Sequence, residues 1–311
     1  MSASIDKKLF ENDEININEL IKTFWDYKLI ISSISIASCI LIVLYSLSIP
    51  NIYRSSALVM PTQSQGSNLS GSLSGLGGLA SMAGISIPSG SSNNKDEAIA
   101  VLTSHQFLED FIIKNDILLP LMASKGWDAV KNELILDSKI YDSKNKKWAS
   151  KSNNVPSKPS IQEAVRSFRE IYNVSENKQN GFVTISIDFY SPQIAKDWID
   201  LIVKNINETM RVQAVSMATS SLNYLNDQMN MTNISEIKIV LSELAKSETQ
   251  KIMLSKSSPE YMFKTIDKAY APEIKISPRR SIICIIGALV GFSLSLLVAI
   301  FMRLREEKNN S

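Results

Sequence analysis

The sequence predicts an α+β protein: a mixed α/β base beside a membrane, carrying a long helical extension, with a transmembrane helix before and after it in the chain. Three observations lead there. Two charge-free apolar stretches sit near the ends, strand-like runs alternate with helix-capping signals in the middle, and no proline falls between Pro192 and Pro259. The expected organisation is a cytoplasmic segment 1–28, a first span 29–49, an extracytoplasmic domain 50–280 with a helical arm at about 192–256, a second span 281–302, and a tail 303–311.

Leu29 to Ile49 holds no charged residue and meets the roughly 20 residues that a hydrocarbon core of about 30 Å requires. A cleaved signal peptide would have a shorter apolar region, and its end would carry small residues rather than Leu47-Ser48-Ile49-Pro50. Ser281 to Met302 is the second span, with Gly287 and Gly291 four residues apart on one helix face, the spacing that lets helices approach closely. Ser33 and Ala37 offer the same spacing on the first span. Lys7, Lys8, Lys22 and Lys28 precede the first span, and Arg303, Arg305 and Lys308 follow the second. The intervening loop is long enough to translocate regardless of its own charges, so both termini are expected to be cytoplasmic.

Ile52 to Met60 reads as a strand leaving the membrane, followed by a Gly/Ser-dominated loop from Gly66 to Asn94. Gly75-Leu76-Gly77-Gly78 lacks the following Lys-Ser or Lys-Thr of a phosphate loop. Asn94 with Glu97 has capping-box spacing, and Ala98, Val101, Leu102, Leu108 and Ile112 predict a helix from Lys95 to about Asn115. Ser160 with Glu163 repeats that logic and opens a helix to Ile171; Gln179-Asn180-Gly181 is a turn, and Phe182 to Phe189 a β-branched strand.

Ser191-Pro192 supplies an N-cap and first-turn proline. Beyond it Val215, Ala218, Leu222, Leu225 and Met229 form a seam, resumed by Ile237, Leu241 and Leu244 after a weak point near Asn230 to Asn233. Unbroken, the stretch would run roughly 95 Å at 1.5 Å per residue, so a projecting arm or two stacked helices is expected, with two ordinary core helices as the plainer alternative. Tyr261 to Tyr270 reads as a strand returning to the membrane, able to pair with the two earlier strands, and Pro272 and Pro278 end it.

Lys and Arg total 33 against 31 acidic residues, a formal charge of +2 that leaves no basic surplus for nucleic acid. Both cysteines, Cys39 and Cys284, fall in the apolar spans, so the middle has neither a disulfide framework nor a thiol nucleophile or Cys-metal site. His105 is the lone histidine. Zinc, Walker and nucleophile-elbow patterns are missing, and Glu109-Asp110, as helical neighbours, do not face each other. No catalytic, cofactor-binding or metal site is expected. The Lys-rich stretch from Lys139 to Lys158 reads as a solvated loop that could meet an anionic sugar chain.

Three motifs in order carry a family resemblance. They are Glu14-Ile15-Asn16-Ile17-Asn18-Glu19-Leu20-Ile21 with Phe24-Trp25 and Lys28, Ser74 to Ile85 followed by Glu97 to Leu102, and Ala271-Pro272-Glu273-Ile274-Lys275-Ile276-Ser277-Pro278-Arg279-Arg280. With two terminal spans around a helix-rich domain, the chain resembles Wzz-type polysaccharide co-polymerases, the O-antigen chain-length determinants of Gram-negative bacteria. The resemblance implies a two-pass inner-membrane protein with a periplasmic α/β base and long helix. It implies a ring-like homo-oligomer acting without catalysis beside the O-antigen polymerase on lipid-linked polysaccharide. The tail from Arg303 to Ser311 has no tyrosine, which corresponds to the short class without a kinase domain. An export adaptor and a membrane sensor are the alternative readings.

Overall fold

The computed structural model describes residues 25, 27–62, 93–149 and 158–309. The Gly75 to Gly78 loop and the segment from Glu14 to Phe24 lie outside the described residues. The chain divides into two units, one of residues up to Pro50 and from Ser277 onward, the other of Asn51–Ile276.

In the first unit, helices α1 (Lys28–Ser48) and, at the far end of the chain, α8 (Arg280–Asn309) pack against each other. Both are long and apolar enough to cross a membrane. Their faces away from each other are exposed along Leu29, Ile36, Leu41, Leu44, Leu289 and Leu297. This suits a lipid environment, where apolar side chains need no further cover.

The second unit is built on an antiparallel sheet of four strands. Strand β1 (Tyr53–Pro61) lies in the interior of the sheet. Helices and two short hairpins described below follow it, and then strands β6 (Tyr172–Glu176), β7 (Val183–Phe189) and β8 (Phe263–Asp267) complete the order β6-β7-β1-β8. Alternation along β1 sends Ser55, Ala57 and Val59 inward. Gly181, with φ of 71°, takes the left-handed conformation in the β6-β7 turn, which a residue with a Cβ adopts at a cost. Arg54 faces Asp188 across the β1-β7 pair and donates through Nε and Nη2 at 2.6 Å each. The returning strand is shorter than the Tyr261 to Tyr270 expected. It pairs with β1 only, and its beginning is held by a side chain of the long helix described below.

Where one helix was expected from Lys95 to Asn115, there are two: α2 (Asn93–Thr103) and α3 (His105–Lys114). Ser104 between them is extended, at φ −67° and ψ 152°, and its side chain accepts from Phe107 N to cap α3. The break resets the phase between Leu102 and Phe107, so that Ala98 and Leu102 of one helix and Phe107, Leu108, Phe111 and Ile112 of the other all reach the core. Asn94 sits inside α2 rather than capping it, and Glu97 accepts from Gln213 Nε2 at 2.8 Å instead of closing a capping box.

Between α3 and residue 149 come α4 (Leu118–Ala123), the hairpin β2 (Ser124–Asp128) and β3 (Glu133–Leu136), and the small hairpin β4 (Tyr141–Asp142) and β5 (Lys147–Trp148). Helix α5 (Ile161–Ile171) opens with both halves of the Ser160–Glu163 capping box in place. Its Phe168 centres an aromatic cluster, 5.5 Å from Phe111, 5.5 Å from Tyr172 and 5.9 Å from Trp198, with Phe189 4.6 Å from Trp198. These rings join the buried face of the sheet to the first turns of the long helix, and aromatic contacts at such spacings add to the area they bury.

Helix α6 (Pro192–Met231) starts at the Ser191 cap with Pro192 in its first turn and runs 40 residues, about 60 Å at the helical rise. Thr232 to Ile234 break it, and α7 (Ser235–Ser257) follows. Ser242 Oγ on α7 donates to Met229 Sδ on α6 at 3.4 Å, while Leu254 and Ser257 of α7 share a cleft with Met210 and Met217 of α6. Since positions rise along α7 as they fall along α6, the two helices form an antiparallel hairpin. The weak point near Asn230 to Asn233 is its corner.

Candidate functional site

The sequence singled out two surfaces, one in each unit. In the apolar helix pair, Gly287, Gly291, Ser295 and Ala299 recur every four residues on α8 and are all buried. A Cβ on Gly287 would collide with the side chain of Ile42, and one on Gly291 with Ser38. Ser35 Oγ and Ser295 Oγ are 3.2 Å apart. The face of α1 that meets α8 is therefore Ser35, Ser38 and Ile42. Ser33 and Ala37, which show the same four-residue spacing in the sequence, are exposed on the opposite side. Small residues let the two backbones close in where no apolar driving force separates helix from lipid. Pro278 is buried in this unit and follows a cis Ser277–Pro278 bond.

Pro272 lies in the second unit and is half-buried. Around it the outgoing chain is tied to the incoming one: Ser55 Oγ donates to Tyr270 O at 2.7 Å, Ile276 N to Ile52 O at 2.9 Å, and Lys275 Nζ to Asn51 Oδ1 at 3.1 Å. The chain thus enters and leaves the α/β base at one edge.

On the helical hairpin, Ala218 is buried and Val215, Leu222, Leu225 and Met229 are half-buried. Leu241, Ala245, Glu248 and Ile252 of α7 are half-buried and Ser255 is buried, a run with the same alternation of three and four. Ile237 and Leu244, expected to continue the seam, are instead 43% and 41% exposed. Reversal at the corner resets the helical phase, so the inward face of α7 is not the continuation of the α6 face.

Sequence reasoning missed the apolar flank of this hairpin. Met210 and Met217 line one cleft with Leu254. Tyr224 and Met231 follow Met217 at seven-residue steps and stay on that side, as do Ser247 and Val240 counted back from Leu254. Met217, Tyr224, Met231, Val240 and Leu254 are all exposed. The seven-residue repeat was the signal for it.

In the second unit, Glu208 and Arg211 on the long helix form an ion pair. The Glu208 carboxyl, in a cleft of about 600 Å³ between α3 and α6, is held below the usual carboxylate range by the hydrogen bond from Arg211, then by the charges of Arg211, Lys114 and Lys204. His105 is exposed, with Nε2 3.6 Å from Glu109 Oε2 on its own helix. Among the described residues no three His, Cys, Asp or Glu side chains gather closely enough to hold a metal ion.

Among solved structures the chain is similar to a full-length bacterial polysaccharide co-polymerase, at 11% identity and TM-score 0.43, covering 95% of this chain and 100% of that one. It is also similar to a fragment of WzzB, a polysaccharide co-polymerase from Salmonella Typhimurium, at 11% identity and TM-score 0.29, covering 73% and 100%. No curated protein sequence matches. The sequence model of the family described as Wzz, chain length determinant protein, matches residues 13–115, the stretch that contains α1, β1, α2 and α3. Over residues 13–115 the chain is thus similar to the family that the motifs in the sequence resemble.

Proposed function

We propose that this protein sets the length of a surface polysaccharide, the O-antigen of lipopolysaccharide, as a non-enzymatic scaffold beside the O-antigen polymerase. The family match over residues 13–115 carries the reading. The two apolar helices suit a two-pass protein of the bacterial inner membrane, with both termini cytoplasmic and the α/β base with its helical hairpin in the periplasm. Self-association into a homo-oligomer would cover the apolar flank of the hairpin, and lipid-linked polysaccharide would grow against that assembly.

Deleting the gene and resolving the surface polysaccharide on a gel tests the reading. The expected result is loss of the preferred length, restored by the gene on a plasmid. An unchanged ladder would overturn it in favour of an export adaptor.

A further inference from the structure

The β4-β5 hairpin is two residues deep, yet its cross-strand pair is aromatic: Tyr141 faces Trp148 with ring centroids 5.4 Å apart, edge to face. Both rings are half-buried and border a cleft of about 680 Å³. Lys144 and Lys147 line the same cleft, and Lys139 and Lys146 flank it in sequence. None of these four lysines is in an ion pair with a described residue. Asp142 is the carboxylate within the cleft, and its oxygens are turned into the hairpin's own turn. Oδ1 accepts from Lys144 N at 2.9 Å and Asn145 N at 3.3 Å, and Oδ2 from Asn145 Nδ2 at 2.7 Å. The outward face is left with ammonium groups and aromatic walls.

We propose that the Tyr141–Trp148 cleft binds an anionic sugar ring of a polysaccharide chain. The apolar C–H face of a pyranose fits the negative face of an aromatic ring, while the sugar's acidic group meets Lys144 and Lys147. An aromatic wall beside unpaired cations separates this cleft from a plain charged loop, which would hold any polyanion. The recessed rings separate it from a lipid-binding tip, which would present its apolar side chains outward. Asn145 Nδ2 is committed to Asp142, so selectivity rests on ring and charge together. The inference names the kind of chain regulated and so rests on the chain-length reading above.

The test uses the full-length protein in detergent micelles, with binding measured by thermophoresis to polygalacturonate, neutral dextran, polyphosphate and phosphatidylglycerol vesicles. Polygalacturonate should bind at least ten-fold more tightly than dextran or polyphosphate, and its affinity should fall as salt screens the lysines. Lys144→Gln with Lys147→Gln, which leaves the aromatic pair intact, should weaken it at least five-fold. Trp148→Leu, which keeps an apolar cross-strand contact but removes the ring face, should do the same without changing the circular dichroism spectrum. Absence of polygalacturonate binding, equal binding of polyphosphate or dextran, preference for the vesicles, or indifference to the lysine pair would each overturn the proposal. A strain in which the wild-type gene restores the preferred length while the protein shows no such binding sinks this inference and leaves the chain-length reading standing.

Discussion

Asn207, buried on the long helix, holds Phe263 at the start of β8 through both ends of its backbone unit. Its Nδ2 donates to Phe263 O at 3.0 Å, and its Oδ1 accepts from Phe263 N at 2.8 Å. The same oxygen accepts from Met262 N at 2.7 Å, and the same nitrogen donates to Val203 O at 3.0 Å. One amide thus does for the returning chain what a further strand would otherwise do. It anchors the point where the helical hairpin ends and the sheet resumes.

Replacing Asn207 by Leu would leave two buried N–H groups and a carbonyl of the returning chain without that partner. Since each such group costs about 1–3 kcal/mol, Asn207→Leu should destabilise the α/β base by about 3 kcal/mol or more. Thermal unfolding followed by circular dichroism reads this as a fall in Tm. Asn207→Asp, which can accept but not donate, should lose stability too. A Tm within a degree of wild type for Asn207→Leu would show that the clamp contributes nothing.

Much of this framework is legible in the sequence, because β1, β7 and the caps at Ser160 and Ser191 are local signals set by neighbouring residues. Asn207 is not legible, because its partners lie more than fifty residues away and nothing in a helical Asn says that it faces a strand. The break at Ser104 escapes for the opposite reason. A serine inside an apolar helical pattern reads as a tolerated polar residue, and only packing of two faces on one core makes it a cap. The hairpin corner shows as weak helix at Asn230 to Asn233, yet whether α7 continues upward or folds back depends on contacts such as Ser242 with Met229. The small hairpins β2-β3 and β4-β5 escape because their turns are made by Asp128 and Asp142 accepting from their own backbone, and the second of them lies in the Lys-rich stretch that reads as a solvated loop.

Tyr172 Oη is buried with no hydrogen-bond partner among the described residues. Burial pushes its phenol above the ordinary value of about 10. Below that value the ring is neutral in both folded and unfolded chains, and its contribution is fully present. As pH rises past it only the unfolded chain ionises, so stability is lost. Tyr172→Phe should therefore be neutral to stabilising, by up to about 1 kcal/mol at pH 7, and should shed part of the alkaline loss. Denaturation midpoints at pH 7 and pH 10.5 check this. A variant less stable than wild type at both would contradict the assignment.

The apolar flank of the helical hairpin gives the proposed self-association a specific handle. Tyr224 is 64% and Val240 49% exposed, so charging them leaves the inward faces of α6 and α7 untouched. A contiguous exposed apolar stripe is the kind of surface that a partner covers. Tyr224→Glu with Val240→Glu should lower the mass of the detergent-solubilised assembly by at least half in multi-angle light scattering, with helix content unchanged. An assembly of wild-type mass would place the contact elsewhere.

The glycines of α8 test whether the apolar helices contribute more than anchorage. A leucine at Gly287 would have to displace Ile42, and one at Gly291 would have to displace Ser38, so either substitution forces α1 and α8 apart. Neither residue belongs to the α/β base, which forms a separate unit, so its folding should be unaffected. If the proposed scaffold works through close packing of its membrane helices, Gly287→Leu and Gly291→Leu should leave the protein expressed and membrane-inserted. They should also spread the polysaccharide lengths from a preferred size toward a random distribution on a gel. The compensating variant Ile42→Ala with Gly287→Leu should recover part of the preferred length, because it returns the space that leucine takes. Recovery separates a packing effect from a general loss of protein. An unchanged distribution in both single variants at normal protein level would confine length control to the α/β base and its hairpin, and the helix pair would then serve as an anchor alone.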